Sequence, residues 1–327
     1  MSNEIINHKL LPKVLEDMIF LRTFEEKASD AYRNGLIGGF CHLYIGQEAV
    51  VCGTYLAIDP TKDQVVTSYR DHAHILLAGT DPKSVMAELF GRSTGISKGK
   101  GGSMHLFDTQ NRFYGGHGIV GAQVSIGTGI GFANKYQENG ALCVTFFGDG
   151  ACHQGQVYES FNMAKLWNLP VIYVLENNKY AMGTSVPRSS SVVDLYKRGE
   201  SFGIPGVRVN GMDVFEVKRA MDAACKHVRE GNGPMLLEVD TYRYRGHSMS
   251  DPAKYRERSE VDHYRETKDP LETLKQYILK NGILSDSDIK KLEDKAKSTM
   301  KDVIEFANNS PEPDLAELYT EVYPINS

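Results

Sequence analysis

Four short apolar runs most constrain what this chain can fold into: QVVTSY at 64–69, ALCVTFF at 141–147, VIYVLE at 171–176 and MLLEVDTY at 235–242. They are nearly continuous in apolar side chains rather than alternating, as expected of strands covered on both faces. A helix-length segment, QVYESFNMAKLWN, separates the second run from the third. Buried strands alternating with helices predict an α/β fold with a mainly parallel central sheet flanked by helices. In such sheets ligands collect beyond the carboxyl ends of the strands. The residues just after each run are therefore the first place to look for chemistry.

The flanks read differently. Residues 1–40 form an expected N-terminal helical segment, with Leu11, Val14, Leu15 and Met18 at helical spacing and Gly35 as its stop. Residues 270–327 form an expected helical C-terminal tail, amphipathic and charged, with Ser285 and Asp288 as a capping box ahead of Ile289, Leu292, Ala296, Val303 and Ala307. No repeat, low-complexity tract or linker divides the chain, so residues 1–327 are expected to form a single domain.

The charge balance, 37 basic against 42 acidic residues, gives a net charge of −5. No global basic field exists to recruit nucleic acid or an anionic membrane, so any anionic ligand must be met locally. The cysteines show no C-x-x-C spacing, which argues against a zinc knuckle or a disulfide framework and for a reducing compartment. The first residues lack a secretory pattern, and no apolar run approaches membrane-spanning length. A cytoplasmic protein is expected; the mature form of an organellar one looks the same.

Several motifs invite readings that their surroundings do not support. GHGIVG at 116–121 matches a dinucleotide fingerprint, but the preceding DTQNRFYG does not read as a buried strand, and Ala141 stands about 20 residues on, where an acid is needed. SKGKGGS at 97–103 lacks the first glycine of a phosphate loop and has Gly101 where Ser or Thr would meet a metal. His72 and His74 could form a metal pair, but no third ligand is apparent.

The stronger pattern is Gly148-Asp149-Gly150, then 26 residues (151–176), then Asn177-Asn178. A carboxylate between two glycines at a strand's end has little packing use. Asp149 and an asparagine amide oxygen suit magnesium, which takes oxygen ligands, and magnesium in turn suits a diphosphate. The glycines let backbone approach the phosphates, and a following helix would turn its first N–H groups toward the anion.

This spacing is the signature of thiamine-diphosphate enzymes. With GFCHLYIGQEA, YRDHAH, GKGGSMHLF, GGHGIVGAQV, ENNKYAMGTSV and TYRYRGHSMSDPAKYR, nearly the whole chain resembles the alpha subunits of the pyruvate dehydrogenase family, the decarboxylating components of 2-oxo acid dehydrogenase complexes. The resemblance implies a thiamine-diphosphate-binding fold and two cofactors, thiamine diphosphate and Mg2+. Asp149, the Asn178 side chain and the Tyr180 carbonyl would hold the metal. Gly150 and Ala151 would lend N–H groups to the diphosphate, and Tyr69 and Arg70 would touch its oxygens; a guanidinium fork suits phosphate on first principles as well. Backbone at Gly118 and Val120 would hold the aminopyrimidine ring. His72 and His247 match active-site histidines, and His42 and His105 lie in matched motifs.

The same resemblance implies oxidative decarboxylation of pyruvate and acetyl transfer to the lipoyl group of a dihydrolipoamide acetyltransferase. It also implies a beta subunit that completes an alpha2-beta2 heterotetramer. Acetoin or branched-chain 2-oxo acids are the alternative substrates; a silent cofactor-binding homologue and a nicotinamide-dependent oxidoreductase are the alternatives of other classes. The loop RGHSMSDPAKYR carries Ser248 and Ser250 as a possible regulatory site, since the serine matching Ser248 is phosphorylated in animal relatives. Here the loop is a residue shorter and Lys254 precedes Tyr255, a departure that puts control by a dedicated kinase in doubt.

Overall fold

A computed structural model describes residues 6–320. The chain opens with α1 (Leu11–Arg33), whose buried Leu11, Val14, Leu15, Met18 and Leu21 recur every three or four residues. Beyond it Gly35 takes φ 74 and its N–H bonds the Tyr32 carbonyl, a left-handed exit that glycine adopts without a Cβ penalty. There follow α2 (Glu48–Tyr55), β1 (Gln64–Ser68), α3 (His72–Leu77), α4 (Pro82–Leu89), β2 (Phe113–His117), α5 (Ala122–Tyr136), β3 (Cys143–Gly148), α6 (Gly155–Leu166) and β4 (Val171–Asn177). A short hairpin, β5 (Tyr180–Ala181) and β6 (Thr184–Ser185), leads through α7 (Val186–Ser189) to β7 (Gly206–Asn210), α8 (Val214–Arg229) and β8 (Met235–Asp240). Helices α9 (Arg258–Lys268), α10 (Pro270–Lys280) and α11 (Asp286–Asn309) complete the succession.

Six strands form one sheet in the order β2-β1-β3-β4-β8-β7, and every pairing is parallel. Alternate residues leave a strand on opposite faces, which divides the core in two. Val144, Phe146, Ile172 and Val174 pack with Val217 and Met221 of α8. Phe147, Val171, Tyr173 and Leu175 pack with Val124 of α5 and Phe161 of α6. Both faces are therefore covered, which is why the strand runs are apolar throughout.

Because the strands are parallel, their carboxyl ends share one edge of the sheet. From β1 the chain winds outward to β2 on one side; from β3 it winds to β4 on the other. That reversal opens a crevice between β1 and β3, where loops diverge rather than close over one another.

Two strands of the six-stranded sheet were not legible as apolar runs. The residues before GHGIVG do form a strand, β2, so the absence of a strand no longer argues against a dinucleotide site there; Ala141 still does. Its FYGGH sequence hides it, since glycine packs nothing, but edge pairing to β1 needs only backbone. Strand β7, GVRVN, lies at the other edge and buries only Val209.

In the C-terminal tail, α11 packs on α1 and α4, and α10 packs on α1, so the described part lies on the main body. The Ser285 and Asp288 capping box is present at the start of α11. Residues 1–5 and 321–327 of the two helical extensions lie outside the described residues. Among the described residues no helix is long and apolar enough to cross a membrane.

Candidate active site

A cavity of about 280 Å³ lies at the carboxyl edge of the sheet. Its wall draws on the residues after β1 (Tyr69, Arg70), the turn before α5 (Val120), the residues after β3 (Asp149, Gly150, Ala151), and those after β4 and β8 (Asn178, Tyr180, Arg243, His247). Segments far apart in sequence thus converge because the parallel sheet ends them together.

Asp149 is 3% exposed, and its Oδ2 has no hydrogen-bond partner among the described residues. Burial pushes its carboxyl up to about 6, against the pull of the Arg243 guanidinium. A buried carboxylate oxygen left unsatisfied is costly unless a cation or donor completes it. Gly148 faces open space, and a Cβ at Gly150 would come 2.6 Å from the Ala181 Cβ, so the glycines admit a close approach of backbone rather than an unusual φ. After Gly150 comes a single 3-10 turn, Ala151–His153; Gln154 is extended (ψ 135), and α6 starts only at Gly155. The N–H groups nearest the cavity are those of the turn, not of the helix the sequence suggested.

The asparagine pair is split by strand alternation. Asn177 turns away and donates to Glu238 at 2.7 Å, while Asn178 turns to the cavity and donates to Gln47 at 3.2 Å. Its Oδ1 accepts from Arg243 at 3.1 Å, and the Tyr180 carbonyl accepts from the same nitrogen at 3.0 Å. Lys179 (φ 79) and Met182 (φ 51) hold left-handed conformations around Tyr180, and a Lys179–Asp240 ion pair anchors the turn. Strain of this kind, about 1–3 kcal/mol per residue, persists where surroundings over-determine it and clusters at functional sites.

Arg70 is buried and donates to the carbonyls of Leu43 (2.7 Å) and His247 (2.8 Å). It thereby ties the His247 loop to the end of β1. Burial and then the neighbouring Arg70 and Arg243 push His247 down to about 4; its backbone N–H donates to Asp251 at 2.6 Å. His42 packs 5.1 Å from the His247 ring and 4.5 Å from the Tyr69 ring, and its buried Nδ1 has no partner among the described residues. Burial, then Arg70, pushes His42 down to about 2. Both imidazoles are therefore neutral at physiological pH, able to accept or donate one hydrogen bond but not to act as standing cations.

His72 does not line the cavity. It is fully buried behind it, with Nδ1 2.9 Å from Glu25 and Nε2 2.8 Å from the Ser103 hydroxyl. Gly118 does not line it either; a Cβ there would come 2.9 Å from the His105 ring. Ser248 is buried and bonded to Ser250 at 2.9 Å. Three cavity residues, Gln123, Arg243 and Glu176, lie within quoted motifs but were given no role from the sequence. Burial pushes Glu176, which accepts a bond from the Tyr44 hydroxyl, up to about 7. In the sequence it stands out as the acid at the end of the apolar run VIYVLE.

The His72–Glu25 pair makes a testable contribution to stability. Burial alone would lower the His72 pKa, but Glu25, Asp71 and the Ser103 carbonyl outweigh it and raise it. With the folded pKa above the ordinary value of about 6.5, the pair's contribution is complete below that value and is lost as pH rises through the folded one. Glu25→Gln is expected to cost about 3–5 kcal/mol at pH 6, and urea titrations should show that gap to wild type narrowing toward pH 9. A pH-independent gap would remove the ion pair from the account.

A cavity so placed, floored by a glycine-flanked acid and walled by two arginines, is where an α/β protein of this topology would meet an anionic ligand. Residues 16–316 match the family described as Dehydrogenase E1 component, and the chain belongs to that family, whose members are thiamine-diphosphate-dependent 2-oxo acid dehydrogenase components. It is 59% identical over 311 residues to "Pyruvate dehydrogenase E1 component subunit alpha" of Rickettsia bellii, covering 95% of each chain. It is 56% identical over 310 residues to the protein of the same name from Rhizobium meliloti, covering 95% of this chain and 89% of the relative. To the mitochondrial one of Dictyostelium discoideum it is 50% identical over 324 residues, covering 98% and 84%.

Proposed function

We propose that this chain is the alpha subunit of a pyruvate dehydrogenase that binds thiamine diphosphate through Mg2+. The observation that carries the reading is Asp149, a buried acid with an unpartnered oxygen at the cavity floor, beside the inward-facing Asn178. These oxygens and the Tyr180 carbonyl fit a hard divalent cation. Gly150 and Ala151 offer backbone N–H groups to the diphosphate, with Tyr69 and Arg70 along the wall and backbone at Gly118 and Val120 supporting the ring. When bound, thiamine diphosphate supplies the carbon nucleophile and the electron sink for decarboxylation.

The chain's own part is to anchor and to manage protons at the mouth of the cavity. His247, neutral and with its backbone N–H held by Asp251, presents its ring nitrogens to accept or return a proton. His72 is read as positioning rather than contacting, because it is sealed behind the wall with Glu25. Residues 1–327 act as one domain, joined by a beta subunit in an alpha2-beta2 assembly and passing acetyl to the lipoyl group of a dihydrolipoamide acetyltransferase. The names of the relatives support pyruvate over other 2-oxo acids. Five buried cysteines, none in a disulfide, suit the bacterial cytoplasm or a mitochondrial matrix.

The test is His247→Ala. Turnover is expected to fall roughly 10²-fold or more while cofactor affinity changes little, as for loss of a positioned proton-transfer group. Equal losses in affinity and turnover would assign His247 to binding instead. At the adjoining loop, Ser248→Glu places a carboxylate in a buried position near the mouth, so pyruvate use should weaken, whereas Ser248→Ala should stay near wild type. Steady-state kinetics of the pair would show it; indistinguishable variants would remove the loop from the substrate's path.

A further inference from the structure

Arg243 is a fully buried side chain, 1% exposed, and all five of its N–H donors are engaged. Nε donates to the Arg245 carbonyl at 3.2 Å, Nη1 to Asn178 Oδ1 at 3.1 Å and the Tyr180 carbonyl at 3.0 Å, and Nη2 to the Met182 carbonyl at 3.2 Å and the Tyr255 hydroxyl at 2.9 Å. Two of these five acceptors are oxygens assigned above to the metal.

We propose that Arg243 is a resident counter-cation of the metal site: it holds the ligand oxygens converged before metal arrives, and it opposes the metal once there. This rests on the metal assignment of Asp149, Asn178 and Tyr180. Two oxygens drawn within 3.1 Å of one nitrogen, in a cavity that also buries the Asp149 carboxylate, repel each other in a dry site unless positive charge compensates them. The guanidinium supplies that charge, with Nη1 in hydrogen-bond contact with both oxygens. A divalent cation taking the same oxygens either displaces Nη1 or meets a like charge bound to its own ligands, and at such separations in a partly dry site that repulsion is large. Arg243 thus keeps the site shaped and sets its metal affinity below what the three oxygens alone would give. A merely supporting arginine has the opposite signature, since its removal would let the ligands drift and weaken binding.

The experiment measures Mn2+ affinity by the paramagnetic signal of the free ion, using the full chain alone and assembled with its beta subunit, with no cofactor present. Arg243→Met and Arg243→Gln remove the charge; Arg243→Lys keeps it. The charge-removing variants are expected to bind Mn2+ at least about tenfold more tightly than wild type, with Arg243→Lys close to wild type. Thermal unfolding identifies any variant that fails to fold, and Arg243→Gln, which keeps two donors toward the same acceptors, decides the matter if Arg243→Met is lost. Unchanged or weaker Mn2+ binding in the folded charge-removing variants, with Asp149→Ala abolishing binding, would overturn the inference and leave the metal site standing. Undiminished binding in Asp149→Ala would overturn both.

Discussion

Replacing Asp149 by alanine should reduce affinity for thiamine diphosphate and Mg2+ by roughly 10²- to 10⁴-fold while leaving the empty chain folded. Removing one partner of a buried charged pair costs about 3–5 kcal/mol, and each 1.4 kcal/mol is tenfold in affinity. The effect on the empty chain has the opposite sign. Burial raises this carboxyl to about 6, above its unfolded value, so above that pH the ionised group destabilises the fold. The variant should therefore melt at the same temperature as wild type or higher near pH 8. Calorimetric titration of the cofactor with Mg2+, beside thermal melts of the empty chain, separates the two effects. Lower stability together with weak binding would make Asp149 a structural residue.

The second large effect is expected from omitting the partner. The cavity, about 280 Å³, lies at the small end of ligand sites, which run about 300–1,000 Å³ and bury most of what they hold. On the proposed reading it would take the diphosphate end of the cofactor and leave the rest near Val120 and Ile119, the latter 73% exposed. Ile126 and Phe132 on α5, with Leu166 and Trp167 at the end of α6, are further exposed apolar side chains, and the Phe132 and Trp167 rings lie 5.6 Å apart. Contiguous apolar surface beside a site marks an interface, and a stable one buries about 800 Å² on each partner. The alpha chain alone should give less than about one hundredth of the turnover of the assembled enzyme, a loss of the size expected when positioned catalytic groups are missing. Phe132→Glu should weaken assembly and activity together, which analytical ultracentrifugation and activity assays would register. An assembled but inactive Phe132→Glu enzyme would place the interface elsewhere.

Much of this was readable before any coordinates. Strands β1, β3, β4 and β8 announce themselves because both faces of a parallel strand need apolar side chains, and the site follows from where such strands end. Strands β2 and β7 were hidden for the complementary reason: an edge strand needs backbone partners, not side chains, so FYGGH and GVRVN carry no apolar run. The Gly148-Asp149-Gly150 turn and the asparagine pair were legible as chemistry, but only the fold shows that Asn178 faces the cavity and Asn177 does not. His72 was singled out by its motif, and nothing local reveals that Glu25, from α1, seals it behind the wall. Arg243 was invisible as a site residue because its acceptors come from Asn178, Tyr180, Met182, Arg245 and Tyr255, an arrangement that only tertiary structure assembles.

The most direct measurement is pyruvate decarboxylation, followed with an artificial electron acceptor, by the purified alpha chain mixed with its beta subunit, with each component then omitted in turn. Full turnover is expected only when the alpha chain, beta subunit, thiamine diphosphate and Mg2+ are all present, with a collapse on removing any one, whether by gel filtration, chelation or replacement of the alpha chain by Asp149→Ala. Undiminished turnover by the mixture without thiamine diphosphate, or by the alpha chain without any partner, would contradict the assignment of this chain as the diphosphate-binding half of a divided active site.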